Sequence, residues 1–97
     1  MKIQFRNNQL RNAYYDRIVR ERLWGRIVAN KYVQRVGFVA DASGIDELRA
    51  NRSLRFHALT GDRAGQFGID LTGNMRLVVS FTDKNEVTII LEVTDYH

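Results

Sequence analysis

Apolar side chains recur at every third or fourth position through the first half of the chain and at every second position from residue 54 onward. The first spacing is that of a helix with one buried stripe, and the second that of strands with one buried face. Residues 2–6 alternate, with Ile3 and Phe5 on one side, and predict a short first strand. Asn7 or Asn8 then offers an N-cap for a helix carrying Leu10, Ala13, Tyr14 and Ile18. Residues 20–42 contain no proline and one internal glycine, Gly25, and place Val28, Ala29, Tyr32, Val33, Val36, Val39 and Ala40 at helical spacing. They predict a long amphipathic helix. The pattern leaves open whether the two helices are separate or one rod bent around residues 16–20. Ser43-Gly-Ile-Asp46 resembles a capping box that opens a short helical turn through Leu48.

Four strands follow, over residues 54–59, 65–72, 75–82 and 86–94, with tight turns at Thr72-Gly-Asn74 and Asp83-Lys-Asn85. Short connections of this kind predict an antiparallel meander. Phe67, Ile69 and Leu71 share a face, as do Leu77, Val79 and Phe81, and then Val87, Ile89, Leu91 and Val93. The expected class is α+β, with two N-terminal helices packed on one face of a small, mostly antiparallel sheet and the other face left open. No repeat, low-complexity tract or linker divides the chain, so residues 1–97 read as a single domain.

Composition narrows the chemistry. A chain of 97 residues without cysteine has no thiolate metal site, disulfide or thiol nucleophile, and its two histidines, His57 and His97, are too few to build a metal site without carboxylate help. No segment resembles a signal peptide or a membrane span, so a soluble, cytoplasmic chain is expected. Charge is uneven: residues 1–63 hold 13 Lys and Arg against 6 Asp and Glu, whereas residues 64–97 hold 2 against 5. Twelve of the 15 cations are arginine, whose planar fork suits phosphate and carboxylate. A nucleic acid or an acidic protein partner fits that balance, and so does a merely solvated surface.

The open sheet face is where a site is expected. Arg76 points away from the apolar set of its strand, and Arg55 and His57 alternate against Leu54 and Phe56. Such arginines neutralise phosphate in some folds and only pair with a neighbouring Asp in others. Val93-Thr-Asp95-Tyr96-His97 adds three side chains able to exchange protons or hydrogen bonds, or else forms a tail.

Four blocks in order carry a resemblance: Leu54-Arg-Phe-His57-Ala-Leu-Thr-Gly61-Asp62-Arg63, Gly65-Gln66-Phe67, Asn74-Met-Arg76-Leu, and Glu92-Val-Thr-Asp95-Tyr96-His97. Together they resemble the plasmid-maintenance killer proteins, the HigB-like branch of the RelE superfamily of toxins. Lys31-Tyr-Val-Gln-Arg-Val36 in the long helix is similar to that family as well. The resemblance implies two helices against a small sheet, in agreement with the periodicity. It further implies a metal-free endoribonuclease, with no cofactor, that cuts mRNA in the decoding site of a translating ribosome. A cognate antitoxin, often carrying a helix-turn-helix domain, is the implied partner.

Carried over by motif, the functional positions are His57, Arg76, Asp95, Tyr96 and His97, with Arg55, Arg63 and Arg76 as RNA-binding cations. One position departs from the family pattern: Thr60, before Gly61, stands where lysine is frequent, and Arg63 or Arg55 is left to supply the charge. The implied chemistry needs a base for the 2′-hydroxyl proton, cations for the phosphate oxygens and an acid for the leaving 5′-oxygen. Histidine, which titrates near neutrality, serves either proton role, and a tyrosine can stack on a base. Two other classes use the same residues: a non-catalytic RNA- or ribosome-binding module, and a domain whose arginines pair with an acidic protein.

Overall fold

Alternation of Ile3 and Phe5 toward the core gives β1 (Lys2–Phe5), and the computed structural model describes residues 1–95 apart from the side chain of Asp83. The Asn7 side chain accepts the Leu10 N–H at 2.9 Å and caps α1 (Asn8–Tyr15). Asp16 then ends one helix and begins the next. Its backbone N–H donates to the Asn12 carbonyl, while its carboxylate accepts from the N–H groups of Ile18 and Val19. The two helices are therefore separate, and one residue satisfies orphan groups on both.

The helix expected over residues 20–42 becomes α2 (Arg17–Asp41), but it is not continuous. Gly25 adopts φ 78° and ψ 166°, outside the helical region and open in practice to glycine, and the helix kinks there. The turn after it is α3 (Ile45–Ala50), capped at Gly44 with no side-chain bond; Ser43 donates its hydroxyl to Glu47 at 2.6 Å, not to Asp46.

Four further strands are β2 (His57–Ala58), β3 (Phe67–Asp70), β4 (Met75–Phe81) and β5 (Val87–Asp95). The sheet order is β1-β5-β4-β3-β2, with β1 parallel to β5 and the other pairs antiparallel. The α+β class, with helices against a mostly antiparallel sheet, is the one the alternation predicts. Two details differ. The strand expected over residues 54–59 shrinks to two residues, because Arg52–Leu54 form a 3-10 turn and Arg55 takes a left-handed backbone, φ 48° and ψ 45°. In β5 the alternation slips: Val79 pairs with Ile90 but Val78 with Glu92, so one strand carries an extra residue. Beyond that bulge the phase reverses. Thr88, Ile90 and Val93 thus share the core side with Phe81, Val79 and Leu77, in place of Val87, Ile89 and Leu91.

The core lies between the helices and this side of the sheet, with Leu10 and Ala13 of α1, Tyr32, Val36 and Val39 of α2, and Ile69, Leu77, Val79 and Ile90 of the strands all buried. Each fully buried aliphatic side chain contributes about 1.5–3 kcal/mol. Two polar side chains from the Lys31-to-Val36 segment tie the layers together. Tyr32 donates its hydroxyl to the Leu10 carbonyl at 2.7 Å, joining α2 to α1, and burial pushes its phenol well above the usual range. Arg35 donates to the carbonyls of Asp70 and Ser53, joining α2 to β3 and to the turn before β2. No helix among the described residues is long and apolar enough to cross a membrane.

Candidate functional site

Pairing across the sheet sets two rows on the face turned away from the helices. His57 lies opposite Gly68, Gly68 opposite Val78, and Val78 opposite Glu92. In the neighbouring row Asp70 lies opposite Arg76, and Arg76 opposite Thr94. Ile69, Leu77 and Val93 point the other way into the core. The pleat thus gathers His57, Asp70, Arg76 and Glu92 on one surface from four different strands.

The left-handed turn at Arg55 places that residue beside His57 on two counts. Its carbonyl oxygen stands 2.6 Å from His57 Nδ1, and its guanidinium Nε stands 3.2 Å from Asp70 Oδ2. The Arg55 side chain is mostly exposed while that of Asp70 is largely covered, so the pair leaves a guanidinium edge facing solvent. Arg55, Phe56, His57, Asp70 and Gly73 line a shallow cleft of about 620 Å³. Beneath it, Phe56 stacks on Phe67 at a centroid distance of 5.0 Å and meets Phe81 edge-on, which anchors the two-residue β2 despite its few ladder bonds.

Arg63 reaches the same face from the 3-10 turn Gly61–Arg63. Its guanidinium donates to Glu92 at 3.0 Å and to Gln66 at 3.2 Å. Thr60 is exposed on the loop leading into that turn. Arg63, three positions after Thr60, thus presents its guanidinium to this face while held by a carboxylate.

Arg76 is half-buried in the middle of this surface. Asp95 ends β5 exposed and in register with Met75, one residue out of phase with the Arg76–Thr94 pair. Tyr96 and His97 lie outside the described residues. Among the residues expected from sequence, the fold brings His57, Arg55, Arg76 and Arg63 to one face. It adds Asp70 and Glu92, the carboxylates that orient two of those arginines, and Gly68, which underlies the histidine. The alternation of Phe67, Ile69 and Leu71 already placed Gly68 and Asp70 on this side, and that was the signal available for them. Among the described residues no group of three His, Asp or Glu side chains stands together as a metal cradle.

The architecture has close counterparts of known structure. YafQ from E. coli strain BL21(DE3) superimposes with a TM-score of 0.67 at 13% identity, over 98% of this chain and 92% of that one. The YoeB–YefM complex from Staphylococcus aureus matches with a TM-score of 0.63 at 13% identity, over 100% of this chain and 97% of that one. A YoeB/ParE toxin from Agrobacterium tumefaciens matches at 0.60 and 12% identity, with both chains covered in full. No protein-family model and no curated protein sequence matches the chain. At these identities the likeness is one of fold, and the chain has the RelE-like α+β fold seen in YafQ and YoeB.

Proposed function

We propose that the chain is the toxin of a type II toxin–antitoxin system, of the HigB-like kind, and that it cleaves mRNA on the translating ribosome as a metal-free endoribonuclease. The observation that carries this reading is the convergence of His57, Arg55 and Arg76 on one face of a toxin fold. Cleavage within RNA begins when the 2′-hydroxyl loses its proton and attacks the adjacent phosphorus. In this reading His57 takes that proton, and Arg76 meets the charge that grows on the phosphate oxygens. Arg55, exposed at the mouth of the cleft, offers a second guanidinium to the backbone. Asp95, Tyr96 and His97 enter by the sequence resemblance, His97 as acid for the leaving 5′-oxygen, Tyr96 as a surface for a base and Asp95 as an orienting carboxylate. Proton transfer contributes about 10²- to 10⁴-fold, so alignment of the RNA by the ribosome supplies much of the remainder.

A cognate antitoxin with a helix-turn-helix domain is the proposed restraint, and the cytoplasm the proposed location. The solved YoeB structure in complex with YefM supports an antitoxin partner for this fold. A second reading, a ribosome- or RNA-binding module without catalysis, is favoured by the engagement of Arg55 and Arg63 with Asp70 and Glu92. Induced expression without a partner separates the two. The toxin reading expects arrested growth, cuts within translated messages and relief by Arg76→Ala. Normal growth with the protein soluble and intact would refute it.

A further inference from the structure

The imidazole of His57 is held from two sides by groups that carry no chemistry of their own. On one side the Arg55 carbonyl oxygen lies 2.6 Å from Nδ1. A carbonyl only accepts, so Nδ1 carries the proton, and in the neutral ring the lone pair sits on Nε2. Free imidazole side chains favour the opposite arrangement, with the proton on Nε2. The carbonyl reaches Nδ1 because Arg55 closes the turn Arg52–Leu54 in a left-handed conformation, φ 48° and ψ 45°, its N–H bonded to the Arg52 carbonyl. An arginine adopts this backbone at a cost, and the ion pair to Asp70 holds its side chain in place.

On the other side the ring lies against Gly68, its cross-strand partner. A Cβ at Gly68 would stand 2.8 Å from His57 Cε1 and 3.0 Å from Nε2. Any side chain there displaces the distal edge of the ring, and φ at Gly68 is not in the left-handed region that would otherwise call for glycine. The need for glycine is thus one of approach. Among the described residues Nε2 has no hydrogen-bond partner, which leaves its lone pair for a proton from outside the chain.

We infer that Gly68 and the backbone carbonyl of Arg55 are positioning groups that fix His57 as the Nδ1–H tautomer, with Nε2 as the acceptor of the 2′-hydroxyl proton of the bound RNA. The second clause rests on the ribonuclease reading. In the step, the 2′-O–H proton moves to Nε2 while the 2′-oxygen bonds to phosphorus. The P–O5′ bond breaks, a 2′,3′-cyclic phosphate forms, and the 5′-oxygen takes a proton from water or a general acid.

Nitrogen NMR of the full chain, uniformly ¹⁵N-labelled and recorded at a pH where the ring is neutral, reads the tautomer directly and without any activity. The parent is expected to show Nδ1 protonated and Nε2 bare. Gly68→Ala is expected to shift the ring toward the Nε2–H form and to lower kcat for message cleavage on ribosomes about tenfold to a hundredfold, with KM within about twofold. A parent ring protonated on Nε2, or a Gly68→Ala protein with the parental tautomer and the parental kcat, overturns the inference. Should Gly68→Ala fail to fold, Arg55→Gly and Arg55→Val decide it, since both delete the guanidinium but only glycine accepts the left-handed backbone freely. The Nδ1–H tautomer is expected to persist in the first and to be lost in the second; equal tautomers in both overturn the inference. A parent with Nδ1–H that cuts no message removes the ribonuclease reading and the 2′-hydroxyl as proton source, and leaves the holding of the ring standing.

Discussion

Arg35, buried in α2, donates from Nε to the backbone carbonyl of Asp70 at 3.0 Å, although the Asp70 side chain belongs to the opposite face of the sheet. One residue thus carries the helix layer's grip on its backbone and, through its carboxylate, orients Arg55 in the cleft. Burial of the Arg35 guanidinium pushes its pKa down while the nearby Asp70 charge opposes that, and it donates to the backbone carbonyls of Asp70 and Ser53. Arg35→Met should therefore lower stability by about 2–3 kcal/mol, because its charge-assisted bonds to the Asp70 and Ser53 carbonyls are lost. Urea unfolding midpoints of the parent and variant check it, and an unchanged midpoint would contradict the role.

Tyr32 links stability to alkaline pH. Its phenol ordinarily titrates near 10 but is held protonated to higher pH in the fold, so the unfolded chain releases this proton first. The stability that the raised value contributes is complete below about pH 10 and is lost as pH rises from there toward the folded-state value. Tyr32→Phe should flatten that part of the decline, and at neutral pH should cost about 1 kcal/mol for the lost bond to the Leu10 carbonyl. Stability measured against pH for both proteins between pH 8 and pH 11 gives the comparison.

The kink at Gly25 is a backbone requirement without a packing one. A Cβ there would meet no heavy atom within 4 Å, so any cost of Gly25→Ala comes from the positive φ alone. The expected loss is about 1–3 kcal/mol. Gly37, in the same helix with equally open space and no positive φ, supplies the control: Gly37→Ala should be neutral or stabilising.

The helix layer exposes Ile18, Leu23 and Ile27, with Ile27 at 70% and the exposed arginines Arg22 and Arg26 beside it. Leu23 and Ile27 both face outward, to different degrees. Under the proposed antitoxin restraint, Ile27→Asp should weaken antitoxin binding at least tenfold while moving stability by about 0.5 kcal/mol or less. Calorimetric titration with the cognate antitoxin and a thermal melt of the free variant are the two readings.

Much of this fold was legible in the residues. Period-two alternation located β1, β3, β4 and β5, and the pair Asn7 and Asn8 marked the start of α1, with Asn7 the cap. What escaped were local backbone departures that composition does not encode. The bulge opposite Val78 and Val79 reversed the phase of β5, so Ile89 and Leu91 exchanged roles with Thr88 and Ile90. Arg55 gave no sign of a left-handed backbone, because arginine rarely adopts one, and that single turn both shortened β2 and aimed a carbonyl at His57. The site followed the same division. His57, Arg55 and Arg76 were visible as polar positions in alternating strands, whereas the partnership of Arg63 with Glu92 joins residues far apart in the chain and required the sheet to be assembled first.

Under the proposed function, His57 and Arg76 together cleave translated RNA. Purified protein added to ribosomes translating a defined message, with the RNA ends mapped, tests it most directly. The expected result is cuts within the translated region bearing 2′,3′-cyclic phosphate ends, few cuts in the same RNA without ribosomes, and loss of at least about 10²-fold in rate for both His57→Gln and Arg76→Ala. An intact message under the parent protein, or parental cutting by both variants, would contradict it.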